Sequence, residues 1–380
     1  MPRAGSAIQS NPDAVLAASL AATDALAATG AGRADAALLF AVGRDLDVER
    51  AGAAAREALG TRVVTIVVGH AVAAGASENE DGPAVAVLAL CGVEATTFRV
   101  AGTSGVEEAI GPEVEALLGR STIETDLVVV FADPLGIDAT RLAGALADLQ
   151  PATVVGAGAA LDAAGRPQLA IAERAVRSGA CGLVLALDAP AHVAVSQGCR
   201  PITDPFTVTR VEGNWLLELD GKPALDVYCE IAREPLAADL RQAAARLLVT
   251  IPLRACRRGD AGDAWVARRV AGFAPERRAF ALPEPLRVGT LLRFALRDAD
   301  LAREDLSRAL ARVVGPVSAG LYLSSSARGR ALFQHPGLES ALVASALAPA
   351  PLAGLFGSFE IAPLAGSLQH LAHAGILVTI

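Results

Sequence analysis

One order of events recurs three times along this chain: an apolar strand, an amphipathic helix, an apolar run broken by glycines, and a closing apolar strand. It first reads DAALLFAVG, VERAGAAAREALG, VVTIVVGHAVAAG and PAVAVLAL. It then reads DLVVVFADP, ATRLAGALADLQ, ATVVGAGAALDAAG and GACGLVLALD, and a third time AGLYLSSSARG, ESALVASALAP, PLAGLFGSFEIAPLAG and AGILVTI. Units of about sixty residues exceed the roughly 20 to 50 of open solenoids, which predicts duplicated modules in a compact α/β fold of mixed sheets and helices. The glycines fall at matching places, where a backbone can approach a neighbour or a ligand closely. The glycine-rich segments are therefore the first place to look for a site.

At 380 residues and 53% apolar content, the chain can bury a large core and divide into two or three domains. Much of that content is alanine, and Lys222 is the one lysine, a bias expected of a GC-rich coding sequence. A net charge of −8 argues against a nucleic-acid partner, since non-specific binding needs a positive surface. No apolar run approaches the roughly 20 residues of a membrane helix, so no membrane insertion is expected. An acidic cytoplasmic protein is the plain reading. The N-terminal segment, residues 1–34, has apolar positions at helical spacing and is expected to be a helix capped by Asn11 with Pro12 in its first turn. Cys91, Cys181, Cys199, Cys229 and Cys256 form no C-x-x-C pair and are odd in number, which predicts reduced thiols.

Between the second and third repeats lies AHVAVSQGCRPITDPFTVTRVEGNWLLELDGKPALDVYCEI, dense in turn formers and β-branched residues. Strands FTVTRVEG and NWLLELDG joined at Glu212 to Asn214, a short helix near Pro223, and a helix ADLRQAAARLLV are expected. AWVARRVAGF and RRAFALPEPLRVG predict a small antiparallel sheet, followed by a helix over DADLAREDLSRALARVV. Without a low-complexity linker, two tightly packed domains are expected. Arg254, Arg257, Arg258, Arg268, Arg269, Arg277 and Arg278 are expected on a solvated sheet face, given the negative net charge.

The run VSQGCRPITDPFTVTRVEGNWLLELDGKPAL resembles the signature joining the two halves of FIST proteins, a family regarded as small-ligand sensory domains. VVGHAVAAGASENEDGPAVAVLAL resembles the family's glycine strand and its acidic E-x-E-x-G-P turn. LYLSSSARGRALF and LAGLFGSFEIAPLAGSLQHL resemble its S-C-N-G-R-G and G-E-I-G-P-x-G-G…L-H segments. The resemblance runs over residues 35–380 in order, and implies a FIST N-like domain over 35–230 and a FIST C-like domain over 231–380. Ser325 departs from it where a cysteine is more usual, and Ser358 and Phe359 replace its usual Asn-Gly pair.

The chemistry concentrates in a few residues. Arg200, after the Gly198-Cys199 turn, offers a planar guanidinium suited to a bidentate grip on a carboxylate, or else an internal ion pair. Cys199 is a contact, a redox sensor or a nucleophile only if its pKa is lowered, and otherwise packing. Ser325 and Arg328 stand at a strand end, where α/β folds place ligand groups; the bland alternative is a helix N-cap by Ser326. Glu360 is a lone carboxylate in an apolar stretch and needs a partner, for which Arg328 or Arg200 would serve, or a function. His370 and His373 would share a helix face, yet no third ligand accompanies them, so no metal is expected. His70 in the first glycine strand is a candidate for the same cavity. Glu78, Glu80 and Asp81 form a turn expected to be an exposed acidic tip, with Glu78 and Glu80 as weaker ligand candidates.

Cofactor motifs are absent: Gly156-Ala157-Gly158 lacks the third glycine of a dinucleotide fingerprint, and no phosphate-binding loop occurs, so no cofactor is expected. The expectation is a sensor that binds a small polar ligand, such as an amino acid, in a cleft between the halves. Arg200, Arg328, Glu360 and His370 would form its polar wall, beside Cys199 and Ser325. The residues point to binding rather than turnover, with an enzyme using Cys199 or Glu360 as the alternative and an interaction scaffold as the third reading. A chain of this length leaves no room for an attached signalling domain, so output would pass to a separate partner or through self-association.

Overall fold

The computed structural model describes residues 2–44, 46–102, 104–172, 174–253 and 264–380, which form two compact units. The first comprises Met1–Ser196 and Ser307–Ile380, the second Gln197–Leu306. The third repeat thus shares a compact unit with the first two, and residues 197–306 form the other, with its own core. Cys256, Arg254, Arg257 and Arg258 lie outside the described residues.

The repeat is longer than the sequence pattern suggested, because each copy begins with an outer strand, followed directly in the first two by a helix. The first copy runs through strand Arg3–Ser10, helix Ala14–Thr29, strand Ala36–Val42, helix Val48–Leu59 and strand Val64–Gly69. It ends in the hairpin Ala71–Ala74 and Ser77–Asn79 and the closing strand Ala84–Cys91. The second follows the same order from Glu94–Ala101 and helix Val106–Leu118 through Asp126–Ala132, Ala139–Leu146 and Thr153–Gly158. Its hairpin is Leu169–Ile171 and Arg174–Val176, and it closes with Gly179–Ala186. In the third copy the outer strand His192–Ser196 is followed by residues 197–306 before the chain reaches Gly320–Ser325, Leu338–Leu347, Leu352–Gly357, the hairpin Glu360–Leu364 and Ser367–Leu371, and Gly375–Thr379. The N-terminal segment therefore opens with a strand rather than a helix, and Asp13 rather than Asn11 caps the helix by accepting from Val15 and Leu16 N–H groups. The outer strand escapes a helix-period reading because it alternates small and polar residues.

Among the described residues the first unit holds three six-stranded sheets, each built on a parallel pair flanked by antiparallel strands. The central strands Ala36–Val42 and Asp126–Ala132 are buried at every position, as continuous apolar runs require when both faces are covered. Side chains alternate: Ala37, Leu39 and Ala41 meet an alanine-rich helical face of Ala17, Ala21, Ala25, Ala51 and Ala55. Phe40, on the opposite face, meets Phe131 of the second repeat edge-on at 6.0 Å. Every hairpin leaves its own sheet. That of the first repeat pairs with Leu352–Gly357 in the third, that of the second with Val64–Gly69 in the first, and that of the third with Thr153–Gly158 in the second. This closed exchange ties the repeats into one unit, since no sheet is complete without a neighbour.

Among its described residues the second unit holds a nine-stranded antiparallel sheet around Val208, Tyr228, Leu247, Phe280 and Phe294. The hairpin Phe206–Glu212 and Trp215–Leu219 and the helix Ala224–Ala232 fall where expected. The helix expected over residues 238–249 stops at Arg246, and Leu247–Pro252 is a strand, because the β-branched run after it fits a pleated surface better. Arg268 is not on a solvated face: it is buried and bonds Glu284 at 2.7 Å. Arg277 and Arg278 pair with Glu212 and Asp226 near the surface.

Candidate functional site

The parallel strands of the three repeats end at Gly69, Gly158 and Gly357, and the turns that follow interlock. His70 N–H donates to Phe356 O at 2.8 Å, Ser358 N–H to Gly158 O at 2.9 Å, and Ala160 N–H to Val68 O at 2.7 Å. A Cβ on Gly69 would stand 2.7 Å from Phe356 O, and one on Gly357 2.8 Å from Gly158 O. The matching glycines therefore serve close approach to a neighbouring repeat. Ser358 donates to Ala159 O at 2.7 Å, and His70 Nε2 lies 3.4 Å from Ser358 Oγ. Both residues reach solvent, although the His70 ring lies deep enough among protein atoms for desolvation to lower its pKa.

Beside this junction sits a buried ionic cluster. Along Gly320–Ser325 the alternation sends Tyr322 and Ser324 to one face, and Glu339 comes over them from the first turn of helix Leu338–Leu347. Glu339 Oε1 accepts from Arg328 Nε at 2.6 Å, from Ser324 Oγ at 3.2 Å and from the Tyr322 hydroxyl, and Oε2 accepts from Gly329 N–H at 3.1 Å. Arg328 Nη1 also donates to His373 O at 3.3 Å, and both charged side chains have zero exposure. The Tyr322 pKa is pushed well above its ordinary value by burial and by the Glu339 charge. Gly375 completes the fit, because a Cβ there would stand 2.2 Å from the Tyr322 hydroxyl. The Arg328 charge is thus matched by Glu339, a residue the sequence did not single out.

Glu360 begins the hairpin of the third repeat. Its neighbours Phe359 and Ile361 enter the helix-side core of the second sheet, so Glu360 faces the other way, into the interior opposite Ala157. It has zero exposure, and neither carboxyl oxygen has a hydrogen-bond partner. Burial pushes its pKa well above the carboxylate range, and the Glu339 charge adds to the shift. The Ala374 amide and the Arg328 charge favour the anion without making a hydrogen bond to it. The expected salt bridge from Glu360 to Arg328 does not form. Ser325 lies close by, its N–H bonded to Ala374 O at 2.9 Å.

The acidic turn and His370 share a different role. Glu80, Arg177 and His370 each stand three residues after the start of the second hairpin strand, at Ser77, Arg174 and Ser367. Each reaches the first turn of a helix in another repeat, Gly329–Phe333, Val48–Leu59 and Ala139–Leu146 respectively. Glu80 Oε1 accepts from Arg330 N–H at 2.8 Å, Arg177 lies 4.0 Å from Glu49, and His370 Nδ1 lies 3.2 Å from Thr140 Oγ1. The turn is an exposed tip only at Asp81, which forks onto Arg330; Glu78 and Glu80 are half-buried, and Glu78 accepts from Gly337 N–H at 3.1 Å and from Ser340. The Glu78 pKa is raised to about 7, by burial first, with the Glu80 carboxyl and the Glu339 charge adding to it. His370 lies on the strand Ser367–Leu371 and His373 in a turn at φ 62°, so the two do not share a helix face.

Cys199 and Arg200 belong to the second unit. Cys199 is buried against Leu248, Ala267 and Ala295, and Arg200, half exposed, stands 3.8 Å from Glu304. Gly198 N–H donates to Asp305 at 3.0 Å, and the Gln197 amide bonds Ala267 N–H and Trp265 O. Among the described residues no group of three or more His, Cys, Asp or Glu side chains is placed to hold a metal ion, and no helix is long and apolar enough to cross a membrane. Hollows of about 330 and 340 Å³ lie against Pro151 and Leu368 and against Pro112 and Leu149, and Glu360 lines neither.

An uncharacterized protein of Mycobacterium tuberculosis is 32% identical over 313 residues, 79% of this chain and 78% of its own length. One of Mycobacterium bovis is 31% identical over 310 residues, again 79% and 78%. Among solved structures, a cyanuric acid hydrolase from A. caulinodans matches 49% of this chain and 71% of its own at 13% identity, with a TM-score of 0.28 too low to carry an argument. The FIST N domain matches residues 35–222 and the FIST C domain residues 224–363, and with nearly the whole length accounted for, the chain belongs to the FIST family.

Proposed function

We propose that this chain is a small-ligand sensor whose ligand is recognised by Glu360, beneath the junction of the three glycine turns. The observation that carries this reading is the pair of Glu360 oxygens, fully buried and without a partner. An unsatisfied buried polar group costs roughly 1–3 kcal/mol, and an apolar residue of similar size would avoid that cost. A group kept at such a cost in a core this apolar is better explained by function than by packing. Its place fits as well: α/β folds bind ligands beyond the C-terminal ends of parallel strands, and Glu360 follows three residues after one such end. Membership in a family regarded as small-ligand sensors supports the same class of activity.

Arg328 is engaged by Glu339, so gripping a ligand carboxylate with it would mean breaking a buried ion pair. Recognition in the first unit then rests on Glu360, with Ser358 and His70 on the solvent side of the same turns. Because Glu360 has no exposed surface, a ligand reaches it only if part of the surrounding structure moves. Binding and movement are then coupled, as a sensor requires. Output would pass to a separate partner or through self-association. The test is native mass spectrometry of gently purified protein beside a Glu360→Leu variant. A metabolite retained by the wild type and lost from the variant is expected, and equal retention by both would sink the assignment.

A further inference from the structure

We propose that the ligand presents to Glu360 an edge on which a hydrogen-bond donor and an acceptor lie side by side, as in a primary amide, a lactam or a carboxylic acid. This rests on Glu360 being the recognition group. The argument starts from the surroundings of its two oxygens. Glu360 faces Ala157 across the strand pair, and the nearest cation, Arg328, is held by Glu339. Glu339 itself is a buried carboxylate, so a second anion would be desolvated and repelled. The carboxyl group is therefore held neutral, and a neutral carboxyl has one O–H donor and one carbonyl acceptor side by side. An amide or lactam edge meets both at once through two near-parallel hydrogen bonds, leaving neither oxygen unsatisfied.

An ammonium ligand fits this place badly. It has three donors and no acceptor, so one oxygen of a single carboxyl would leave donors facing apolar surroundings. Its charge would also require Glu360 to ionise without water. A carboxylate ligand fares no better, since Glu339 already holds the guanidinium that would neutralise it. The partnership that remains is between neutral groups, each with a donor and an acceptor.

The experiment titrates 15N-labelled full-length protein with 2-pyrrolidinone and, separately, with n-butylammonium, following the amides of Gly357 to Glu360 and Ala374. Wild type should show saturable shifts with 2-pyrrolidinone and none with n-butylammonium. Glu360→Gln keeps a donor and an acceptor side by side and should bind 2-pyrrolidinone within a few-fold of wild type. Glu360→Leu should bind it at least about tenfold more weakly, the equivalent of one lost hydrogen bond. Unchanged amide dispersion elsewhere in the spectrum establishes that each variant is folded. Saturable binding of n-butylammonium, lost in Glu360→Gln, would overturn the ligand class while leaving Glu360 as the recognition group. Undiminished 2-pyrrolidinone binding in Glu360→Leu, or no response of these amides to either probe in wild type, would overturn both.

Discussion

Glu339 and Glu360 are carboxylates of the same repeat, buried to within 1% of complete, yet their surroundings are opposite. Glu339 collects an arginine, a tyrosine, a serine and a backbone N–H, so its charge is compensated from every side. Neither oxygen of Glu360 has a hydrogen-bond partner, and only the Ala374 amide and the Arg328 charge favour its anion. A buried acid with a full set of partners is part of how the third repeat holds together, whereas one with none is a cost that packing alone does not explain. Burial therefore does not separate structural from functional charge; the partners do.

The largest effect expected is at Glu339. Glu339→Leu leaves the Arg328 guanidinium buried without its counter-charge, and a loss of about 3–5 kcal/mol in urea unfolding is expected. Pairing it with Arg328→Met should recover much of that loss. A single variant that lost under about 1 kcal/mol would erase the distinction drawn between the two acids. Glu360→Leu should move the other way and stabilise by roughly 1–3 kcal/mol at neutral pH. The sign of its pH dependence follows from the raised pKa of Glu360. The folded state holds a proton that the unfolded chain releases above the ordinary carboxylate value of 4.5. Wild type therefore loses stability as pH rises above that value, and its deficit relative to Glu360→Leu should widen with pH. A constant difference would mean that Glu360 is ionised in the folded protein.

Glu78 is intermediate, since it has two partners and a pKa raised to about 7. Its contribution is complete below 4.5 and lost as pH rises through 7, so unfolding followed between pH 4.5 and 8 should show a decline of order 1–2 kcal/mol, reduced from the full shift by partial exposure. Glu78→Gln should flatten that decline while keeping the contacts to Gly337 and Ser340. An unchanged slope would assign the decline to another group.

Much of this was legible in the sequence, and the omissions have physical causes. The central strands were plain because strands buried on both faces read as continuous apolar runs. Glu360 was plain because a single charge interrupts such a run. Glu339 was invisible: an acid in the first turn of a helix reads as an ordinary complement to the helix dipole, and nothing local says that the helix covers Tyr322 and Ser324. The exchange of hairpins was invisible too, since pairing between repeats is set by how the sheets close rather than by any one strand. His370 and Glu80 stood out as motif residues, but their shared position became apparent only once the hairpins were aligned on Ser77, Arg174 and Ser367. Arg177 completes that set and carried no signal of its own.

The hairpin contacts extend the contrast to the surface, where partnered groups should matter least. His370 meets Thr140 at 3.2 Å, and its ring meets Phe359 edge-on at 5.9 Å, while Arg177, largely in water, stands 4.0 Å from a half-exposed Glu49. When either contact is removed, solvent can replace the lost partner, so no buried charge or orphan polar atom remains. His370→Ala is expected to cost about 0.5–1 kcal/mol, from one hydrogen bond and one ring contact. Arg177→Ala should cost less than about 0.5 kcal/mol, as exposed ion pairs do. The same urea series measures both. A loss at His370 comparable to that at Glu339 would mean that the contact between the second and third repeats supports the fold as strongly as the buried cluster, and that partners outside the core count as heavily as those within it.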